Sequence, residues 1–391
     1  MSDPKSDRNI IMLGFVSLLN DISSEIIQPV LPLFISSLGG GGLAVGLIGG
    51  ISEGLPSILK IFAGWWSDRL GKRKPLVVAG YALSAAGKLL LPVASAWQHV
   101  FFFKVLERSG KGIRSAPRDA MISESASSER RGRGFGLHRA MDSAGAVVGS
   151  IMAYLLWQGG LSYSSIFLTA GVMAVLALLP FSRVEERFSA PACGASLKLS
   201  GLSSELKAFI AVASLFALGN FSYMFFILRA QELFSGAEAV AAPLLLYVLF
   251  NLVYSIMSMP VGIWSDRVGR RLVLVLGYGL FAATALGFAF VSSLAGLIVL
   301  FSLYGLVYAM VDGSEKAYVS DLSSASLRGS CLGIYYGAVG VVAIASSLIA
   351  GAIWSSWGAE ATFLFGAVAA ALAAVGLLSV GAEKINAGKL S

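Results

Sequence analysis

The stretch Gly64-Trp65-Trp66-Ser67-Asp68-Arg69-Leu70-Gly71-Lys72-Arg73 returns 198 positions later as Gly262-Ile263-Trp264-Ser265-Asp266-Arg267-Val268-Gly269-Arg270-Arg271. A second segment, Arg118-Asp119-Ala120-Met121-Ile122-Ser123-Glu124, aligns with Glu315-Lys316-Ala317-Tyr318-Val319-Ser320-Asp321 at a shift of 197. Two shifts that agree within one residue describe a duplicated chain. Each copy of the first segment closes an apolar run and opens a short basic turn.

Outward from these segments the chain is apolar. Of its 391 residues 56% are apolar and 13% charged, against roughly 25% charged in a soluble domain. Runs of about 20 residues, the length that crosses a bilayer, recur near 10–36, 44–66, 75–95, 98–120, 134–157, 163–182, 208–234, 239–264, 272–292, 295–318, 331–355 and 360–380. Lipid cannot satisfy an exposed backbone polar group, so continuous runs of this length are helices. The pattern predicts an all-α integral membrane protein, with 12 transmembrane helices in two six-helix, pseudo-symmetric bundles. Their bounds are 1–182 and 208–391, joined by a polar linker at 183–207. Parallel six-helix halves are the plan of a rocking secondary transporter.

The net charge of +7 acquires a meaning from position. Nineteen of the 29 Lys and Arg residues lie before the first span, in alternate loops, in the linker or in the last tail; the opposite loops carry none. By the positive-inside rule both termini are expected in the cytoplasm, in a multi-pass cell-membrane protein, and the basic balance implies no nucleic-acid partner. Cys193 and Cys331 build neither a disulfide framework nor a zinc site, and no metal is expected. Gly50-Ile51-Ser52-Glu53-Gly54 has the Gly-x-Ser-x-Gly spacing of hydrolases, but that motif needs a strand before its helix. With Gly46, Gly50 and Gly54 spaced by four, close helix packing is the reading here. No His-Glu-x-x-His or phosphate-binding loop occurs, so no enzyme and no cofactor is expected.

The motifs resemble those of the major facilitator superfamily over essentially the whole chain. Its loop signature Gly-x-x-x-Asp-Arg-x-Gly-Arg-Arg/Lys is matched by Gly64, Asp68, Arg69, Gly71 and Arg73, and in the second copy by Asp266, Arg267 and Gly269. These residues, with Arg118, are expected to latch one of two conformations, because a carboxylate at a helix end pairs with neighbouring guanidinium groups. Arg108 and Gly112 match the fourth-helix Arg-x-x-x-Gly. Gly136, Gly145 and Gly149 match the fifth-helix pattern of drug:proton antiporters, although Ser150 stands where that pattern has Pro.

Ten basic residues fall within spans or at their ends: Lys60, Lys88, Lys104, Arg108, Lys111, Arg114, Arg118, Arg139, Arg229 and Lys316. Asp21, Glu25, Glu53, Glu107 and Asp142 join them in the first half, and Asp312 and Glu315 in the second. Intramembrane charges cost roughly 3 kcal/mol each or more and default to functional hypotheses. At 1.5 Å per residue, Asp21 and Arg108 both lie roughly 15 Å deep, and a pairing between them is expected. The resemblance implies that helices one, four, seven and ten line the transport path. Arg108, Lys111, Arg114, Glu107, Asn220, Tyr223, Tyr304, Tyr308 and Asp312 are then the candidate substrate contacts. Asp21, Glu25, Asp142 and His138 are the candidate proton carriers, since burial favours a neutral carboxyl and a nearby Arg the charged one.

The resulting expectation is a monomeric, proton-coupled transporter of a small organic solute, an exporter driven by the proton gradient through alternating access. The alternative is a proton-coupled importer of an anionic solute or metal chelate.

Overall fold

Helices are the element that satisfies backbone groups in lipid segment by segment, and the long apolar segments among the described residues are helices. The computed structural model describes residues 4–125, 131–186, 202–324 and 327–380. Among them are α1 (Pro4–Ile27), α2 (Leu31–Ser37), α3 (Gly42–Leu70), α4 (Lys74–Leu90), α5 (Trp97–Ser125), α6 (Arg131–Gln158) and α7 (Tyr163–Leu176). The second half contributes α8 (Ser204–Gly219), α9 (Met224–Glu232), α10 (Glu238–Val268), α11 (Arg270–Phe290), α12 (Leu294–Asp321) and α13 (Arg328–Ser379), and no strand occurs among the described residues. Most of the linker, with Cys193, lies outside them.

Ten helical stretches among the described residues are long and apolar enough to span a membrane, with α1 and α2 running together as Arg8–Ser37 and α8 and α9 as Ser204–Glu232. The twelve expected spans are recovered once two features are recognised. Helix α5 is long enough, yet the charges from Lys104 to Arg118 dilute its apolar content. Helix α13 holds two spans, because Gly358 adopts φ 83 and breaks it; that left-handed conformation suits a residue without Cβ. Large apolar side chains face outward, as a lipid-facing surface requires: Phe62, Val93, Met259 and Trp357 are all more than 60% exposed.

Glycines set how closely the helices approach. In the first bundle α6 lies against α1, where a Cβ on Gly149 would sit 2.5 Å from the Ile22 carbonyl oxygen, and one on Gly145 2.9 Å from that of Leu18. The antiporter-like glycine pattern therefore has a physical role here without its proline; Ser150 bonds back to the Val147 carbonyl at 3.0 Å. Between the bundles, α3 meets the first part of α13 along Gly46, Gly50 and Gly54, as their spacing predicts. A Cβ would approach Ser347 O to 2.2 Å, Ile344 O to 2.9 Å and Gly340 O to 2.2 Å at these three positions.

The repeat is visible in the packing. Tyr81 stands 3.5 Å from the Arg118 guanidinium, and 197 residues on, Tyr278 donates to Glu315 at 2.5 Å. The same place in each bundle thus holds opposite charges. Gly71 and Gly269, the motif glycines, end α3 and α10 with φ 61 and 97, which explains Gly at both.

Candidate substrate cavity

The first and seventh spans are broken, each beside the molecule's centre. Pro29 cannot donate a backbone hydrogen bond and stops α1 after Ile27; α8 stops at Gly219 and α9 resumes at Met224. The two breaks meet. Tyr223 donates from its hydroxyl to the freed Gln28 carbonyl at 3.2 Å, which satisfies an oxygen that the helix no longer uses.

Next to this junction lies a cavity of about 310 Å³ between the bundles. The first bundle supplies Glu25, Gln28, Ser52, Glu53, Arg108 and Lys111; the second supplies Tyr223, Tyr247, Phe250, Asn251, Tyr254, Tyr308 and Asp312. On the side of α2 and α9, which pack on each other, Val30, Leu31, Phe226 and Leu244 are all fully buried. Toward the turns at 71–73 and 269, side chains are wetter: Arg139 is 54% exposed and Lys316 39%. The cavity therefore opens toward the face that carries the basic turns.

Glu25 is the cavity's most constrained charge. One carboxylate oxygen accepts from Gln28, and the other accepts from Tyr247 Oη at 2.9 Å and Asn251 Nδ2 at 3.2 Å. Glu25 thus joins α1 of one bundle to α10 of the other, beside the closed end. Nearer the open end, Arg139 of α6 reaches Asp312 of α12 at 3.4 Å and also bonds Tyr254, while Lys316 pairs with Asp312 at 2.5 Å. Lys60 of α3 lies 3.7 Å from Asp119 and over the Tyr336 ring at 4.6 Å.

Several expected positions are corrected. Arg108 does not pair with Asp21: its Nε lies 3.2 Å from Glu107, its chain neighbour, which also accepts from Lys104. Asp21 accepts from Asn20 at 3.3 Å and lies near Asp142. Equal depth put Asp21 and Arg108 at one level, but it carries no information about which way each side chain turns. Glu107 is held by its own helix and Arg114 stacks 4.1 Å over Tyr81 while donating to Ser84 at 2.5 Å, so neither lines the cavity. Asn220 ends α8 and Tyr304 is buried against Phe226, 4.1 Å between ring centroids, behind Tyr308. Arg108, Lys111, Tyr223, Tyr308 and Asp312 are at the cavity as expected.

His138 lies 3.3 Å from Asp142 inside the first bundle. Lys88, fully buried in α4, donates to the Asn20 carbonyl at 3.3 Å, Ser23 Oγ at 3.1 Å and Ser24 Oγ at 2.8 Å. At the basic face Arg73 pairs with Glu124 at 2.7 Å, and Arg270 with Asp266 at 2.5 Å and Asp321 at 3.0 Å. These contacts stay within one bundle each. Arg118 bonds Asp119 at 3.0 Å and Ser17 at 3.2 Å, and Arg69 stacks on Trp65. Gly64 packs against Ala116 of α5; the Asp68 side chain lies outside the described part, and Arg267 simply ends α10.

A family model described as Major Facilitator Superfamily matches residues 13–246 and, again, 209–389. The chain belongs to the major facilitator superfamily. It is accordingly a multi-pass membrane transporter and not an enzyme, and superfamily members work without a resident cofactor. An MFS-type transporter of Methanocaldococcus jannaschii is 44% identical over 97% of this chain and 96% of its own length. The multidrug resistance protein MdtH of Edwardsiella ictaluri is 25% identical, over 84% of this chain and 79% of its own. Among solved structures, the nucleoside transporter NupG shares the fold at TM-score 0.77 and 12% identity, covering 95% of this chain and 98% of that one.

The two tyrosines and the asparagine of α10 line the cavity and were not among the residues expected there. Tyr247, Asn251 and Tyr254 recur at helical spacing on one face of an otherwise apolar span, which was the available signal. Glu53, a lone acid in its span, had no assigned role and lines the cavity.

Proposed function

We propose that this superfamily member is a proton-coupled exporter of a small organic solute, monomeric, in the cell membrane, with both termini cytoplasmic. The observation that carries the proposal is the Glu25 junction with Tyr247 and Asn251. A carboxylate that accepts hydrogen bonds from the opposite bundle holds that end of the cavity shut, and charge-assisted bonds are about twice as strong as neutral ones. Protonation weakens the junction and lets the bundles rock; loss of the proton restores it. Solute bound in the cavity beside Tyr247 and Asn251 draws these donors away from Glu25, so an empty, deprotonated carrier stays closed and one that holds solute or proton is released. Proton and solute are thereby linked through one two-state element.

Asp21 stands one helical turn from Glu25, and Asp142 and His138 one turn apart on α6. These three serve as the relay between Glu25 and the cytoplasm. The first-bundle latch is Arg73 on Glu124, supported by Arg118, Arg69 and the glycines; the second is Arg270 on Asp266 and Asp321. The name of the MdtH relative and the Gly145–Gly149 stripe favour export.

The test uses the purified protein in liposomes with an imposed proton gradient and a panel of small organic solutes. At least one solute is moved uphill, and a protonophore stops it. Uphill movement that survives collapse of the proton gradient contradicts the proposal.

A further inference from the structure

The cavity's charges divide into those already occupied and those left open. Glu25 is saturated by Gln28, Tyr247 and Asn251, and Asp312 by Lys316, Arg139 and Tyr254. Two others have no such partner, and a third is engaged on one side only. Lys111 of α5 and the carboxylate of Glu53 on α3 make no hydrogen bond or ion pair among the described residues, although both line the cavity and both are exposed to it. Arg108 is 5% exposed, lines the same cavity and meets Glu107 through its Nε alone; its two terminal nitrogens make no hydrogen bond among the described residues.

Leaving a charge unpaired at the middle of a membrane protein is costly unless water or a ligand takes the partner's place. A guanidinium end with two free N–H groups matches the two oxygens of a carboxylate in a planar, bidentate arrangement, and Lys111 one turn along the helix adds a second positive charge. Glu53 accepts from an N–H donor. The opposite wall is aromatic: Phe250 lies 5.6 Å from Tyr247, 6.2 Å from Tyr254 and 5.3 Å from Tyr308 between ring centroids. Ring faces of this kind accept another ring edge-on or offset. A volume near 310 Å³ stands at the lower end of small-molecule sites and admits one or two rings.

We infer that the solute class is a small aromatic zwitterion, its carboxylate held by Arg108 and Lys111, its ammonium by Glu53, and its ring by Phe250 and Tyr308. The inference rests on the reading of this cavity as the transport site and narrows it. The pairing is selective in both directions. A lipophilic cation leaves Arg108 and Lys111 uncompensated, and a simple anion leaves Glu53 facing the ring's apolar end.

Three compounds of one ring size separate these contributions: 4-aminomethylbenzoate, 4-methylbenzoate and 4-methylbenzylamine. Binding to the full chain in detergent is read by thermal shift and calorimetry, with no gradient present. The zwitterion binds at least tenfold tighter than either singly charged analogue. Lys111→Gln and Arg108→Gln each weaken the two carboxylates about tenfold and leave the amine unchanged, while Glu53→Gln weakens only the compounds that carry an ammonium. Lys111 and the Glu53 carboxylate make no hydrogen bond or ion pair among the described residues, so their variants fold even if the Arg108 variant does not. Tightest binding by 4-methylbenzylamine, no binding by any of the three at 10 mM (roughly 3 kcal/mol,), or carboxylate affinity untouched by Lys111→Gln would overturn the inference. Flux distinguishes the two levels: a zwitterion that binds as described yet is never carried under a proton gradient refutes the transport reading and leaves the binding assignment standing.

Discussion

Tyr247 donates a 2.9 Å hydrogen bond to Glu25 across the line where the two bundles meet. The donor belongs to α10, the acceptor to α1, and the Tyr223 bond to the Gln28 carbonyl lies beside them. The polar links that join the broken first span to the second bundle are therefore concentrated at the closed end of the cavity. Rocking the bundles apart at that end requires breaking them.

Removing the Tyr247 hydroxyl shifts this balance by a predictable amount. A single hydrogen bond to a charged group contributes about 1.5–3 kcal/mol, so Tyr247→Phe raises the population open at that end by roughly tenfold or more at 1.4 kcal/mol per decade. In a background without native cysteines, Val30→Cys, fully buried here, reports it: a membrane-impermeant maleimide labels the cysteine faster by that factor when Tyr247→Phe is added.

The α3–α13 contact tolerates no side chain at its glycines. Gly54→Leu puts carbon where the Gly340 carbonyl stands 2.2 Å from the would-be Cβ, and overpacking of this kind costs about 1–3 kcal/mol or more. Gly262, in α10, has nothing within 4 Å of the same point. Gly262→Ala therefore leaves stability level or raises it by up to about 1 kcal/mol, whereas Gly54→Leu lowers the unfolding temperature in detergent and slows transport.

Lys88 stabilises the first bundle through oxygens alone. Its ammonium donates to Asn20, Ser23 and Ser24 of α1 from α4, with no carboxylate among its hydrogen-bond partners. Lys88→Met strands those buried oxygens, at about 1–3 kcal/mol. Thermal unfolding falls accordingly, and solute affinity measured on the remaining folded protein does not change, because Lys88 does not line the cavity.

The open-end pair of Arg139 and Asp312 is a weaker fastening. At 3.4 Å and half exposed on the arginine, it belongs with surface ion pairs of about 0–1 kcal/mol. Asp312→Asn changes the labelling rate of cysteines at the open end less than fivefold. A much larger change would mean that this pair, rather than the Glu25 junction, governs the switch.

The sequence carried the spans, the basic turns, the internal repeat and the glycine contacts, because each depends on local chemistry repeated along the chain. It carried the level of each buried charge less usefully. Asp21 and Arg108 share a depth, yet Arg108 turns to the adjacent Glu107, a choice that one helix's rotation decides. The break at 28–30 had a signal in Pro29, but 10–36 reads as one apolar run; the break at 220–223 has no proline at all. Glu25 was legible as a candidate, and it lines the cavity. Its partners were not, since Tyr247 and Asn251 are uncharged and lie on a span outside the four that the resemblance placed around the path.

In the proposed cycle Glu25 carries the coupled proton. This assignment is tested most directly by measuring solute-driven pH change inside liposomes that contain the wild type or Glu25→Gln, with a solute both proteins bind. The wild type moves protons against the solute flow, and Glu25→Gln exchanges solute across the membrane with no pH change. An undiminished solute-driven pH change in Glu25→Gln would contradict the account.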